Sequence, residues 1–135
     1  MALPNGAGGY QVGDGNLNEL VMGYAAAPQT ATSTATLTAA QVTGGMLVAN
    51  PSTSAATYTL PTAAAIDAIV TSAKVGSTFQ LSVVNTGTSS GTVTLATATG
   101  ITDGGNAFVA VAVTSSAVFT FRKTGDAAWS VYKSA

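Results

Sequence analysis

The side chains of this sequence best suited to acid–base chemistry are five carboxylic acids, because the chain has neither histidine nor cysteine. A catalytic carboxylate pair needs two acids held about 5–10 Å apart in a cleft. Nothing in the spacing of these acids brings two of them together. The sequence therefore predicts a protein that is not an enzyme. The acids are Asp14, Glu19, Asp67, Asp103 and Asp126.

Two short loops carry oxygen ligands that a hard cation would accept, GDGN at 13–16 and DGGN at 103–106. Calcium takes six to eight oxygens, several of them from carboxylates, and each loop offers one aspartate. Asp, Asn and Gly are also the residues that tight turns require. We interpret both loops as turns and expect no metal and no cofactor.

Charge and hydropathy exclude several kinds of partner. Charged residues make up 7% of the chain, and the net charge is −1. A nucleic-acid backbone would find no basic patch, so no nucleic-acid partner is expected. The longest apolar run, AFVAVAV at 107–113, is far below the roughly 20 residues that span a bilayer, and the start does not resemble a signal peptide. We expect no membrane partner.

The remaining polar and aromatic side chains have simple structural interpretations. Arg122, Lys123 and Lys133 fall on a predicted hairpin, where charges protect strand edges from unwanted pairing. Trp129 and the tyrosines are residue types that bind glycans, but they fit core or subunit-contact packing better. A surface this poor in charge is badly protected from association, which favours a subunit of an assembly.

The composition divides the chain into two parts. Residues 1–30 read as an extended Gly-rich arm, in which isolated apolar residues stand among turn formers. We expect this arm to be ordered by contact with neighbouring subunits, through a set of anchors. The anchors are Leu3, Tyr10, Val12, Leu17, Leu20 and Tyr24.

Residues 31–135 predict an all-β domain with one short inserted helix. Ala, Thr, Gly and Ser supply 75 of the 135 residues, which suits a tightly packed, Thr-rich sheet. The helix is expected over 62–76, with Thr62 as N-cap and Ile66, Ile69, Val70 and Ala73 on one face. Phe79, Leu81, Phe119 and Phe121 are expected to be buried in the core, on facing sheets. About eight strands are expected, at 34–39, 44–50, 56–60, 78–85, 92–98, 108–113, 117–123 and 128–133.

Four stretches carry a resemblance to a known family: MALPNGAGGYQVGDGNLNEL, YTLPTAAAIDAIVTSAKVGSTFQLSVVNTG, TVTLATATGITDGG and FTFRKTGDAAWSVYK. In this order they resemble the small virion proteins of tailed bacteriophages, especially capsid decoration proteins. The resemblance implies a jelly-roll-like β-sandwich with an extended N-terminal arm that docks on the capsid or on neighbouring subunits. It also implies a homotrimer on the outer surface of the virion, in contact with the major capsid protein and stabilising the capsid.

An alternative function is that of a binding module rather than a structural protein. In this alternative the chain is a head-fibre or tail-associated domain that binds a glycan on the host surface. Carbohydrate sites usually combine aromatic rings with acids or amides, and the loops at 86–91 and 103–106 hold no aromatic residue. The loops therefore favour the structural role.

Overall fold

A computed structural model describes residues 23–135, in which nine strands and two short helices form two sheets around one core. In chain order the elements are β1 (Gln29–Ala31), β2 (Ala35–Thr36), α1 (Ala39–Thr43), β3 (Met46–Ala49), β4 (Ala56–Thr59), α2 (Ala63–Ile69), β5 (Thr78–Asn85), β6 (Val93–Ala96), β7 (Ile101–Gly105), β8 (Ser116–Gly125) and β9 (Ala128–Lys133).

The first six strands alternate between the two sheets and form three successive coils of the chain. β1, β3 and β5 lie side by side in one sheet, and β2, β4 and β6 lie side by side in the other. All four pairings among them are parallel. Parallel neighbours need a crossover that returns the chain to the starting edge. Here α1 lies in the connection from β2 to β3, and α2 lies in the connection from β4 to β5.

The last three strands extend the larger sheet beyond β5. β8 pairs antiparallel with β5 and forms a hairpin with β9, and β7 pairs parallel with β9 at the edge. The resulting order is β1-β3-β5-β8-β9-β7. The hairpin turns at Asp126 and Ala127, where Ala127 adopts a φ of 48°.

The expectation of a mostly β fold is confirmed, but the jelly-roll topology is not. A jelly roll is built from antiparallel Greek keys. Five of the seven strand pairings in residues 23–135 are parallel. The physical reason is the pair of connections that contain α1 and α2, because each carries the chain back before the next strand begins.

Both sheets and both helices contribute to a single apolar core. Phe119 and Phe121 of β8 are fully buried, as expected, but Leu81 lies beside them on β5 of the same sheet, so the expectation of facing sheets is wrong because β5 and β8 pair with each other. Phe79 packs against this core and is partly buried. The smaller sheet contributes Tyr58 of β4, with its hydroxyl donating to a backbone carbonyl 2.8 Å away. Burial raises the pKa of the Tyr58 hydroxyl.

The helices differ from the sequence expectation in number and length. α2 begins after Thr62, as expected, but ends at Ile69, and the side chain of Ile69 is 54% exposed. Thr71 follows the β-branched Val70, and such residues weaken a helix end. α1 is an additional helix, capped by Thr38 where a strand was expected to continue.

The region from 101 to 113 also differs from the expectation. Residues 103–105 belong to β7 rather than to a turn, and the turn follows at Asn106. The apolar run at 108–113, expected as a strand, does not form one. Within it Val111 makes an isolated antiparallel bridge with Val93, and Val109 is 53% exposed.

Candidate functional site

The carboxylate of Asp67 binds three donors from the β8–β9 hairpin. Its Oδ1 accepts hydrogen bonds from Lys123 Nζ at 2.6 Å and from Trp129 Nε1 at 2.8 Å. Its Oδ2 accepts from the backbone N–H of Ala127 at 2.9 Å. The side chain of Lys123 is 10% exposed and that of Asp67 is 21% exposed. These contacts fasten α2 to the hairpin, and we call the set of Asp67, Lys123, Ala127 and Trp129 the Asp67 cluster.

The sequence positions this cluster through two periodicities. Ile66 of α2 enters the core, and the next residue, Asp67, points toward the hairpin turn. Along β8, alternate residues face the core, so Lys123 follows Phe119 and Phe121 inward. Trp129 is the cross-strand partner of Lys123, and the ammonium lies 5.5 Å from the centre of its ring. This geometry adds a cation–π contact to the ion pair.

Stacked aromatic rings pack against Trp129 of the Asp67 cluster. The rings of Phe79 and Phe121 stack with centroids 4.7 Å apart and planes within 8°. Trp129 meets the ring of Phe79 edge-on at 5.3 Å. These contacts hold the indole in place, so that its Nε1–H is aimed at the carboxylate.

The electrostatics of the Asp67 cluster suit a structural link. The hydrogen bonds from Lys123 and then from Trp129 hold the pKa of Asp67 below its ordinary value of 3.8, while desolvation opposes them. The carboxylate is therefore ionised at neutral pH, with both oxygens engaged by donors of this chain. A general base needs a free oxygen for substrate, so the arrangement supports stability rather than proton transfer.

A second polar centre lies at the end of β5, where Asn85 is 2% exposed. Its Nδ2 donates to three backbone carbonyls, those of Gly91, Val111 and Ala112, at 2.9–3.1 Å. Its Oδ1 accepts from the N–H of Gly87 at 2.8 Å. The amide thereby joins the 86–91 loop to the segment that precedes β8, and both N–H groups of Nδ2 are used within this chain.

An open groove lies beside Asn85. It has a volume of about 610 Å³ and is lined by Val84, Asn85, Thr86, Thr114, Ser115 and Ser116. Hydroxyl groups dominate its polar lining, and no charged or aromatic side chain contributes to it. Such a lining offers weak recognition of sugars and none of ions.

The other candidate chemical residues have structural roles. Asp103 Oδ1 accepts from the N–H groups of Gly105 and Ala107, at 2.9 and 3.0 Å, and so closes the loop after β7. Asp126 lies in the exposed hairpin turn. Among residues 23–135 no three metal-ligating side chains come together. The loop at 13–16, with Asp14, and Glu19 lie outside the described residues.

The predicted arm anchors fall mostly outside the described residues. Tyr24 is described, and its side chain is fully exposed. Residues 23–28 form no strand, and β1 begins at Gln29, so the last two residues assigned to the arm belong to the sheet. The anchors outside the described residues are Leu3, Tyr10, Val12, Leu17 and Leu20.

The interpretation of the basic residues as edge protection is wrong. β8 and β9 are interior strands of the six-stranded sheet. Arg122 is exposed, Lys123 is buried in the Asp67 cluster, and Lys133 Nζ donates to the carbonyl of Ala110 at 3.3 Å. The core packing expected of Trp129 is confirmed.

Sequence reasoning missed the link between Asp67 and Lys123, although the alternation along β8 contained the signal. If Phe119 and Phe121 face inward, Lys123 two residues later faces inward as well. A buried lysine requires a carboxylate partner. Asp67 is the acid in the helical segment, which makes it the natural candidate.

No protein-family model matches this sequence, and neither the curated proteins nor the solved structures contain a match to it. No helix in residues 23–135 is long and apolar enough to cross a membrane. The geometry of the described residues and the resemblance noted in the sequence are therefore the basis for a proposed function.

Proposed function

We propose that this chain is a structural virion protein that decorates and stabilises the capsid of a tailed bacteriophage, as a homotrimer on the outer surface. The observation that carries the proposal is the scarcity of charge on the folded domain. Asp67 and Lys123 neutralise each other. The other charged side chains of residues 23–135 are Lys74, Asp103, Arg122, Asp126 and Lys133. A surface with so few charges favours association over solubility.

The polar centres of the domain support a structural role. The carboxylate of Asp67 and the amide of Asn85 are both hydrogen-bonded to several groups of this chain. Both fasten loops or helices to the sheets, which resists local unfolding. A protein exposed on a particle surface benefits from such fastening, since it works without a surrounding cell to replace it.

The resemblance implies a jelly-roll-like sandwich. Two sheets that share one core support the sandwich part of this likeness. The parallel pairing of the coils is the feature that departs from it. The proposed role requires a stable β domain and an arm, and both are compatible with parallel coils.

The arm is the proposed docking element. Tyr24 presents a fully exposed ring just before the sheet begins. A buried anchor of this size contributes about 1.5–3 kcal/mol before ordering costs are subtracted. Three arms on a trimer would combine weak single contacts through effective concentration.

Co-sedimentation tests the proposal. The full chain and a chain that starts at Gly23 are each mixed with particles of the encoding phage prepared without this protein. We expect the full chain to sediment with the particles at both low and high salt, because the arm carries only Asp14 and Glu19 as charges. The shortened chain retains every strand described above, so it should fold but remain in the supernatant.

Two outcomes would contradict parts of this proposal. Equal binding by both chains would move the docking surface from the arm to the β domain. Failure of the full chain to bind, together with its absence from purified native particles by mass spectrometry, would exclude the virion role. Circular dichroism of the shortened chain controls for folding.

The glycan-binding alternative has one supporting observation, the hydroxyl-lined groove beside Asn85. In that case oligosaccharides from the host surface should bind in a calorimetric titration, and Ser115→Trp should abolish binding by filling the groove. No heat of binding with any host oligosaccharide would remove this candidate.

A further inference from the structure

The six-stranded sheet has an outer face that no described residue covers. Its inner face meets the core, which includes Val42 of α1 and Ile66 of α2, so the helices lie on the inner side. Alternation and register place the opposite set of side chains outward. On the four central strands and β7 these are Met46, Val48, Thr78, Gln80, Ser82, Val84, Thr102, Ser116, Val118, Thr120, Arg122, Ser130 and Tyr132.

Apolar side chains form a continuous patch on this face. Val48 of β3 lies directly opposite Val84 of β5, and Met46 is two residues from Val48 on the same side. Val118 of β8 lies opposite Ser82, one pleat from Val84. The side chain of Met46 is 41% exposed, and the three valines are partly exposed.

Charge is almost absent from the same face. Among its outward positions in residues 23–135, only Arg122 carries a charge. Arg122 pairs in register with Thr78, at the beginning of β5 and away from the valines. A charged partner would find no complement here. At a three-fold axis the equivalent residues of three identical chains converge, so an uncharged centre is favoured there because like charges would repel.

The size of the face suits an interface between protein chains. Six strands about 4.8 Å apart make it about 24 Å wide, and its longer strands extend about 25 Å. The projected area is therefore about 600 Å². A standard interface buries roughly 800 Å² per partner, and around a three-fold axis each copy divides its contact between two neighbours, so this face supplies the central part of the contact rather than all of it.

We infer that this outer face, centred on Ser82, Val84 and Val118, is the surface through which copies of this chain bind one another. The inference rests on the homotrimer of the proposed function and identifies its interface. A sheet from each copy faces the symmetry axis, and the valine patch is the dry centre of the contact. The exposed hydroxyls around it form the polar rim.

Matched threonine-to-lysine substitutions test the inference. Thr120 lies on the outer face beside Val118, and Thr94 lies on the outer side of β6 in the smaller sheet, with both side chains partly exposed. Each change replaces a β-branched strand residue by lysine, so the intrinsic cost to folding is similar. Ser82→Lys serves as a second variant on the outer face, because the hydroxyl of Thr120 lies 3.2 Å from that of Ser134.

Light scattering of the full chain at micromolar concentration gives the readout. We expect the wild-type and Thr94→Lys proteins at about three times the chain mass of 13.2 kDa. We expect Thr120→Lys and Ser82→Lys at the mass of one chain, because each assembly would bury several lysines near one axis. A cooperative thermal transition in each variant confirms that it is folded.

Three results would overturn the inference. The first is an unchanged mass for both folded variants of the outer face. The second is equal dissociation by Thr94→Lys. The third is a monomeric wild-type protein. A monomeric protein that still sediments with particles would reject the interface but leave the virion role intact. An oligomer that does not bind particles would reject the virion role but leave the interface intact.

Discussion

Replacing Asp67 by alanine is the most informative test of how this domain holds together. The substitution removes the acceptor of three hydrogen bonds while leaving the helix backbone free to form, since alanine is the best helix former. It leaves Lys123 Nζ and Trp129 Nε1 without their acceptor. The lysine side chain is only 10% exposed, so its ammonium cannot be fully hydrated without a local opening.

The magnitude follows from this burial. Removing one partner of a fully buried ion pair costs about 3–5 kcal/mol, because an uncompensated charge remains. The Asp67 side chain is 21% exposed, so water screens the pair and lowers the cost. We expect the free energy of unfolding to fall by about 2–3 kcal/mol. For a domain of this size that corresponds to a loss of about 10 °C in the thermal midpoint.

A double-mutant cycle separates the pair from its surroundings. Lys123→Met removes the stranded charge but keeps the apolar stem, so it should recover part of the stability lost in Asp67→Ala. Asp126→Ala is the matched control, because Asp126 is an exposed aspartate in the turn and should change stability by less than about 0.5 kcal/mol. Urea denaturation measures the free energy of unfolding of the two single variants of the pair, of the double variant and of Asp126→Ala. An Asp67→Ala protein as stable as Asp126→Ala would refute the proposed role of the cluster.

The same cluster predicts a pH dependence. The pKa of Asp67 is lower in the folded protein than its ordinary value of 3.8, because Lys123 and Trp129 donate to the carboxylate. The stabilisation is therefore present above pH 3.8 and is lost as the pH falls through the lowered pKa. The stability difference between wild type and Asp67→Asn should shrink over that acidic range. A difference that stays constant down to about pH 2 would contradict the assignment.

Three further substitutions and one control substitution test the core and the loops by denaturation. Phe119→Ala should cost about 3–5 kcal/mol, since the ring is fully buried between the sheets, and a smaller loss would place it outside the core. Gly91→Ala should cost about 2 kcal/mol or more because a Cβ there would overlap the backbone carbonyl of Ser52, whereas Gly125→Ala has ordinary contacts and should be nearly neutral. Asn85→Asp should destabilise the protein by about 3 kcal/mol at neutral pH, because a carboxylate would face three carbonyl oxygens, and lowering the pH should restore part of the loss.

Strands with clear alternation were predictable from the sequence. β5 and β9 have the expected bounds, β8 lies within two residues of them, and Phe119 and Phe121 face inward as their spacing indicates. In each case one face packs on the core and the other does not, so the period of two is visible in the residue types. Thr62 was equally readable, because an N-cap is a local interaction.

Part of the difference between the predicted and the observed elements comes from local signals in the sequence that the prediction did not use. Thr38 and Gln41 form a capping box at the start of α1, and their three-residue spacing is a recognised helix signature. The apolar run at 108–113 offered no period at all, so it did not distinguish a strand from a loop. In the structure Asp103 closes the preceding loop, and Val111 is used as a single bridge.

The strand topology could not be predicted from the sequence, for a different reason. Parallel pairing of β1, β3 and β5 depends on where the chain returns after each helix, and strand alternation carries no information about direction. The Asp67 cluster has the same origin, since its partners are 56 to 62 residues apart in the chain. Contacts of this range follow from the assembled fold rather than from any local pattern.

The edges of the larger sheet show why association should use its face. The carbonyl of Ala31 accepts from the N–H of Asn50, so alternation turns the carbonyl of Thr30 outward from β1, where the side chain of Gln41 donates to it at 3.0 Å. At the opposite edge the register of β7 shifts between Asp103 and Gly105, and the carboxylate of Asp103 takes the N–H of Gly105. Bulges, short strands and side-chain caps are the means by which proteins prevent strand addition at an edge. The one charged residue on either edge strand, Asp103, is already occupied in its own loop. Local hydrogen bonds thus engage a backbone group on each edge strand of the larger sheet, while its outer face is left almost uncharged, so we expect association through the face rather than strand addition at these edges.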